Sequence, residues 1–277
     1  MSVEIKLSGL SVEETIQVIP DHTILLGYVG SLSHGTYIPK DDPDGIDDVD
    51  LLGVCIAPVA CYFGLDRFEQ KESRFAFGKN KEYDSVVYEI TKFVQLMLQQ
   101  NPNVLCLLWL EQDGYIHVAP EGKKLIENRD LFSSKEAYHS FTGYASAQLH
   151  RMTHGSHEGF MGEKRQQLIQ KFGYDTKNAT HLIRLLRMGI EFLTDGQLRV
   201  YREDARELIS IKKGEWPMEK IRAEAERLVK LAQEAFAKSP LPARPDRGAV
   251  QHMLIDLISG YFRRRHLAPF DAYLGSS

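Results

Sequence analysis

The sequence predicts an α/β fold of the α+β type, in which a lobe with a small mixed sheet is followed by a helical lobe. Extended segments with alternating or continuous apolar residues are confined to the first half of the 277 residues. Long segments with the 3.6-residue period of amphipathic helices follow after about residue 131. We therefore expect two domains, 1–130 and 131–277, with the helical domain closing one wall of a cleft.

The first half contains three or four predicted strands and one predicted helix. Short apolar runs at 24–29 and 49–56 end at Gly30 and before Pro58, so they should form neighbouring strands. One or two further strands should lie within 74–90, with a turn near residue 80. A helix should follow and stop at Asn101 and Pro102, since residues 93, 96, 97 and 100 fall on one stripe.

The second half should be helical throughout. Segment 113–130 contains Gly114, Pro120 and Gly122, which are typical of a turn-rich connection, so it is the predicted bridge between the lobes. Periodic apolar residues predict helices at 135–152, 161–172, 177–194, 217–238 and 249–265.

The composition indicates a folded, soluble protein. Apolar residues make up 43% and charged residues 26% of the chain, which is typical of globular proteins. No apolar run approaches the roughly 20 residues that span a bilayer. The first nine residues lack the features of a leader, and the three cysteines lack paired zinc-type spacing. We expect a cytoplasmic protein with reduced core thiols and no membrane contact.

The formal net charge of −4 argues against one class of partner. Proteins that coat nucleic acid non-specifically neutralise many phosphates with Lys and Arg, which requires a strongly basic surface. A local basic surface for a specific nucleic-acid partner is still compatible with this charge.

A glycine-serine turn and a pair of aspartates form the most informative pattern. The strand at 24–29 runs into Gly30 and Ser31, where backbone amides and a small hydroxyl can hold phosphates without crowding. Asp48 and Asp50 stand two residues apart at the head of the next strand. Their carboxylates should project from one face, while Asp47 should point away. Oxygen ligands beside a phosphate site suggest magnesium.

Two other interpretations apply to the same acidic segment. The aspartates between residues 41 and 48 could form a solvated acidic turn, which is common at the entrance to a strand. A calcium loop is excluded, because the ligand positions of the EF-hand pattern would fall on Lys40 and Leu51, and neither side chain can bind calcium.

A third carboxylate is expected on an adjacent strand. Asp84 begins the alternating series that continues with Val86 and Tyr88, so it is the preferred candidate. Glu89 is the alternative, although its place at the start of a helix suits a carboxylate that interacts with the helix dipole.

The Gly-Ser turn followed by Asp-hydrophobic-Asp resembles the signature of DNA polymerase beta-type nucleotidyltransferases. The blocks at 101–105 and 174–187 resemble RlaP-type predicted nucleotidyltransferases, which are associated with RNA repair. The resemblance implies that Gly30 and Ser31 hold a triphosphate and that Asp48 and Asp50 bind metal, with Asp84 at the third acidic position. The loop between Leu32 and Asp47 is longer than the superfamily pattern.

The predicted helix at 177–194 carries a basic stripe. A helical wheel places Lys177, His181 and Arg184 within one narrow arc, with Arg187 at its margin. Arg binds phosphate oxygens bidentately, so the stripe is a candidate for contacts with triphosphate or acceptor phosphates. A solvated amphipathic face is the alternative interpretation.

Together these patterns predict a magnesium-dependent transfer of a nucleoside monophosphate from a nucleoside triphosphate to an acceptor hydroxyl, with release of pyrophosphate. Two Mg²⁺ ions are expected, with Mn²⁺ as a substitute. The candidate acceptor is an RNA end, with a protein or a small molecule as alternatives. A catalytically silent nucleotide- or RNA-binding module would keep the Gly-Ser turn and the basic stripe without needing all three carboxylates.

Overall fold

A five-stranded mixed sheet organises the first half of the chain. The computed structural model describes residues 19–20, 22–39, 41–43, 45, 47–77, 81–154 and 163–265. The strands are β1 (Thr23–Val29), β2 (Val49–Cys55), β3 (Gln70–Phe77), β4 (Lys81–Glu89) and β5 (Tyr115–Val118). Their order is β3-β4-β2-β1-β5. Only β2 and β4 pair in parallel among these neighbours, so the predicted small mixed sheet is confirmed.

Eleven α-helical segments lie in the described residues, six of them in the second half. In the first half they are α1 (Gly30–Ser33), α2 (Val59–Phe63), α3 (Ile90–Leu98), α4 (Pro102–Leu105) and α5 (Pro120–Glu127). In the second half they are α6 (Ala137–His154), α7 (Glu163–Phe172), α8 (Thr176–Asp195), α9 (Ala205–Lys212), α10 (Met218–Lys238) and α11 (Arg247–Arg264). The predicted helical second half is therefore confirmed.

Helix α8 has clear sequence signals at both ends. Asp175 caps its first turn by accepting hydrogen bonds from the backbone N–H groups of Lys177 and Asn178. Gly196 ends it with a positive φ of 75°, a conformation that glycine adopts without steric cost. Thirteen residues of α8 are buried, and it packs against α6, α9 and α10. Its position fixes the wall of the cavity described below.

The sheet is apolar on both faces. Leu52 and Val54 of β2 point to a large buried cluster that also includes Phe192 and Leu208 of the helical half. Val49, Leu51 and Cys55 point to a smaller cluster on the opposite face. This period-two alternation fixes which face of β2 meets the helices.

The structure differs from the sequence prediction in several segments, including short helices of the first half such as α2 and α4. Segment 113–130 is not a turn-rich bridge: it contains the edge strand β5, which pairs with β1, and the helix α5. Its four-residue strand is too short for a clear periodic signal. Helix α9 was not predicted either. The domain boundary at residue 130 stays a prediction.

The expectations for the cysteines and for membrane-spanning segments can be compared with the structure. All three cysteines are free, and Cys55 and Cys106 are buried as predicted, whereas Cys61 is half-buried. Among the described residues, no helix combines the length and the apolar character that a bilayer crossing needs.

Candidate active site

A cavity of about 360 Å³ lies where the helix-facing side of the sheet meets α8 and α9. It brings together most of the residues singled out from the sequence, although they come from distant parts of the chain. Its polar lining includes Gly30, Ser31, Asp47, Asp50, Asp84, Lys177, His181, Arg184 and Lys212. Asp48, immediately before β2, is not part of the lining.

Asp50 and Asp84 form the acidic wall of this cavity. They are directly paired in the parallel ladder between β2 and β4, so their side chains project from the same face of adjacent strands. Burial raises the pKa of Asp50 to about 6, opposed by Lys177 and reinforced by the neighbouring carboxylates of Asp84, Asp48 and Asp47. Asp50 is therefore a carboxylate whose charge is poorly compensated.

Gly30 lies against Asp50. A Cβ at this position would be 2.1 Å from Oδ2 of Asp50, and the residue has a positive φ of 66°. Both features require glycine. The adjacent Ser31 lines the cavity, and its carbonyl accepts a hydrogen bond of 2.9 Å from the backbone N–H of Thr36. The turn is thus held close to the acidic wall.

Asp47 does not point away from the cleft, so that prediction is wrong. Its side chain is 1% exposed and pairs with the Nζ of Lys212 from α9. The oxygen that pairs with Lys212, Oδ2, also accepts a hydrogen bond of 2.8 Å from the backbone N–H of Ile38. The other oxygen, Oδ1, is 3.9 Å from the Nζ of Lys177. Asp47 precedes β2, so the alternation of the strand does not determine its direction.

Asp48 also lies just before β2, and its charge acts on both Asp50 and Arg74. It is half-buried. Its carboxylate is therefore near the acidic wall, although Asp50 is the member of the predicted pair that lines the cavity.

Asp84 is held by Arg74, a residue that the sequence interpretation missed. The Nε and Nη2 of Arg74 donate to the two carboxylate oxygens at 2.6 and 2.7 Å. Arg74 and Asp84 are paired across the hairpin of β3 and β4. This pairing could have been predicted from the turn near residue 80, because a hairpin with its turn at that position places Arg74 and Asp84 opposite each other.

Glu89 has the structural role that its position suggested. It caps α3 by accepting hydrogen bonds from the backbone N–H groups of Thr91 and Lys92. The hydroxyl of Tyr62 also donates to it, at 2.5 Å. These partners occupy Glu89 outside the cavity lining.

The cationic wall comes from α8 and α9. Lys177, His181 and Arg184 line the cavity together with Lys212. Arg184 is 6% exposed, so it is not part of a solvated face. Burial lowers the pKa of Arg184 to about 10. Burial first, and then the charge of Arg184, hold the pKa of His181 well below its usual range, so the ring is neutral near pH 7.

Arg184 and Arg187 have different partners. The guanidinium of Arg184 donates to the sulfur of Met188 at 3.2 Å and has no ion pair within the described residues. Arg187 instead contacts three carboxylates at 2.6 to 3.0 Å, those of Asp204, Glu207 and Glu224. Arg187 thus joins α8 to α9 and α10, whereas Arg184 keeps donors for a ligand.

Lys212 is the second residue that the sequence interpretation missed. Besides Asp47, its Nζ donates to the carbonyl oxygen of Thr36 at 3.0 Å. It therefore fastens α9 to both ends of the segment between Thr36 and Asp47. No local signal predicted it, because its partners lie 165 and 176 residues away.

The carboxylates suit a hard divalent cation in their chemistry, since Asp48, Asp50 and Asp84 offer only oxygen donors near the half-buried Asp50. In this conformation, however, no three His, Cys, Asp or Glu side chains of the described residues are close enough together to hold an ion. Both oxygens of Asp84 are occupied by Arg74. A three-carboxylate site would thus require Asp84 to turn from Arg74 toward Asp50.

Three comparisons with known proteins give one informative match. No curated protein is significantly similar to the chain. A solved structure of a nucleotidyltransferase-like protein from Exiguobacterium sibiricum aligns with 93% of this chain and 92% of its own, at 14% identity and a TM-score of 0.31. That similarity is too low to support an argument. A model of the RNA repair pathway DNA polymerase beta family matches residues 3–256. The chain therefore belongs to this RlaP family of polymerase beta-type nucleotidyltransferases.

Proposed function

We propose that the protein transfers a nucleoside monophosphate from a nucleoside triphosphate to an acceptor hydroxyl, with an RNA end as the acceptor and magnesium as the cofactor. One observation carries the proposal: the carboxylates of Asp50 and Asp84 face a cationic wall of Lys177 and Arg184 across a single cavity. A triphosphate with bound metal has the complementary distribution of charge, because the metal pairs with carboxylates and the phosphates pair with cations.

Asp48, Asp50 and Asp84 are the proposed metal ligands. Two Mg²⁺ ions, or Mn²⁺ in their place, would offset the charge on the phosphate oxygens and activate the attacking hydroxyl. Asp50 would be the central ligand of the three, because it lines the cavity, lies against Gly30 and is paired with Asp84 on the adjacent strand. Asp84 is 33% exposed in its side chain, so it is the carboxylate that an acceptor can approach from solvent.

The phosphates are proposed to lie between the Gly-Ser turn and α8. Gly30 permits close approach to Asp50, and Ser31 offers a hydroxyl beside it. A buried Arg184 without a carboxylate partner is unfavourable on its own, and an anionic ligand would compensate it. Lys177 adds a second positive charge, while the neutral ring of His181 offers a hydrogen bond.

Positioning and charge neutralisation would supply the catalysis. The donors of Arg184 and Lys177 would hold the departing pyrophosphate. Asp84 would orient the acceptor hydroxyl from the solvent side, because it lies in the same cross-strand row as Asp50. The reaction then needs no covalent intermediate on the protein.

The test is incubation of the protein with each α-³²P-labelled nucleoside triphosphate, Mg²⁺, and either RNA or protein. The proposal expects label on RNA that depends on Mg²⁺ and is lost in Asp50→Asn. Label on a protein or a small molecule would show that the proposed reaction is right and that the acceptor is not RNA. If no acceptor is labelled and no pyrophosphate is released with any nucleotide and either metal, the proposed reaction is wrong.

A further inference from the structure

Arg74, Asp84 and Asp50 form a row across three adjacent strands. Arg74 is opposite Asp84 in the antiparallel ladder of β3 and β4, and Asp84 is opposite Asp50 in the parallel ladder of β4 and β2. Neighbouring strands are about 4.8 Å apart. Asp84 therefore has a cation on one side and a carboxylate on the other, and a rotation of its side chain can exchange the two.

The contact between Arg74 and Asp84 is well formed but exposed. The guanidinium uses two donors to bind both carboxylate oxygens, which is the bidentate geometry that holds a carboxylate in one orientation. The side chain of Arg74 is nevertheless 72% exposed. Exposed ion pairs contribute little to folding stability, so this pair can break at small cost.

We propose that Arg74 is a displaceable counter-ion for the third carboxylate: it holds Asp84 while no metal is bound and releases it when a divalent cation binds beside Asp50. This inference rests on the proposed function. A metal on Asp84 would bring a divalent cation next to the guanidinium, and their repulsion would drive Arg74 into solvent.

The surrounding charges support such an exchange. Asp48 acts electrostatically on Arg74 as well as on Asp50. The positive charge of Arg74 thus reduces repulsion among carboxylates that are otherwise close together. A bound metal would take over that role, since it carries a larger charge and lies closer to Asp50.

The experiment is a titration of nucleotide-free protein with Mn²⁺, followed by the electron paramagnetic resonance signal of the free ion. Arg74→Gln removes the competitor and should lower the Kd for Mn²⁺ by about twofold to fivefold, the range that an exposed ion pair corresponds to. Arg74→Lys keeps the charge but cannot bind both oxygens, so its Kd should fall between those of the wild type and Arg74→Gln.

Lys92→Gln is the matched control. Lys92, in helix α3, forms an ion pair with Glu69 at 3.0 Å, and its removal subtracts the same charge without touching Asp84. Its Kd should equal that of the wild type. An unchanged or raised Kd in Arg74→Gln would overturn the inference, as would equal Kd values for Arg74→Lys and the wild type.

Asp50→Asn separates this inference from the proposed function. If Asp50→Asn abolishes Mn²⁺ binding while Arg74→Gln leaves it unchanged, the metal site is right and the role of Arg74 is wrong. If Asp50→Asn binds Mn²⁺ as tightly as the wild type, both are wrong. Loss of the hydrogen-exchange protection of the Arg74 Nε–H on addition of Mg²⁺ would show the release directly, and retained protection would contradict it.

Discussion

Two carboxylates three residues apart, Asp47 and Asp50, have opposite environments. Asp47 has a close ion-pair partner: it is 1% exposed, and one of its oxygens pairs with the buried Lys212 and accepts a hydrogen bond from a backbone N–H, while the other lies 3.9 Å from the Nζ of Lys177. Asp50 has no such partner of its own, and its pKa rises to about 6 because burial and three nearby carboxylates disfavour its charged form. The positive charge of Lys177 offsets only part of this increase in the pKa.

The difference distinguishes an acid with a structural contact from the acid that we propose to bind metal. A buried charge with a close counter-ion joins two parts of the fold, here α9 and the segment that leads into β2. A buried charge that lacks partners destabilises the protein unless a ligand completes it. The predictions below test whether Asp47 and Asp50 really divide in this way.

The largest effect is expected for catalysis in Asp50→Asn. The substitution removes a charged ligand from the proposed metal site, so turnover should fall by roughly a thousandfold or more. The exposed Asp41 lies in the acidic segment before β2, and Asp41→Asn is the control that should keep wild-type turnover. Rates of pyrophosphate release with saturating Mg²⁺ measure both. Near-native turnover in Asp50→Asn would refute the role of Asp50.

A large effect on stability is expected for Lys212→Met. The substitution leaves Asp47 buried without its main partner, which should lower the free energy of unfolding by about 3 to 5 kcal/mol. The double variant Asp47→Asn with Lys212→Met removes the unpaired charge, and should recover much of the loss. Urea unfolding measures the three proteins. Equal stabilities of the single and double variants would show that Asp47 needs no compensation.

Asp50→Asn should have the opposite effect on stability in the absence of metal. The folded-state pKa of about 6 exceeds the ordinary aspartate value of 3.8, so the ionised carboxylate destabilises the fold above that pKa. This penalty disappears as the pH falls through 6 toward 3.8. With a chelator at about pH 8, the variant should gain up to about 3 kcal/mol.

The shape of the pH dependence is the critical part of that experiment. The difference in Tm between Asp50→Asn and the wild type should shrink as the pH is lowered from about 7 to about 4, as the native carboxylate becomes protonated. A difference that stays constant over this range would mean that the pKa of Asp50 is not raised.

A smaller effect is expected for Arg184→Ala. Loss of a charge-assisted hydrogen bond to phosphate is worth roughly 1.5 to 3 kcal/mol, so the affinity for a non-hydrolysable triphosphate should fall about tenfold to hundredfold. Leu186, on the same helix but in the core, is the matched position. Leu186→Ala should instead cost about 2 to 5 kcal/mol of stability. Unchanged nucleotide affinity in Arg184→Ala would show that this helix has a purely structural role.

The sequence carried enough information to predict most of the long elements and part of the candidate site. Alternation along β2 and β4 identified Asp50 and Asp84 as candidate carboxylates on adjacent strands, which the structure pairs directly, and the start of α3 explained Glu89. Each of these inferences depends only on local periodicity and capping, which are properties of short segments.

Contacts between distant segments could not be predicted in the same way. Nothing near Lys212 indicates that it reaches Asp47, because that pairing depends on how α9 packs against the sheet. The direction of Asp47 was wrong for a related reason: strand alternation was extended to a residue that precedes the strand. The contact of Arg74 could have been predicted, because the hairpin register alone pairs Arg74 with Asp84.

The most direct test of the division between Asp47 and Asp50 is the affinity of nucleotide-free protein for Mn²⁺. Asp50→Asn and the double variant Asp47→Asn with Lys212→Met should be compared with the wild type by isothermal titration calorimetry. Our account predicts that Asp50→Asn abolishes specific binding, while the double variant binds Mn²⁺ with an affinity close to that of the wild type. Wild-type affinity in Asp50→Asn, or loss of binding in the double variant alone, would contradict it.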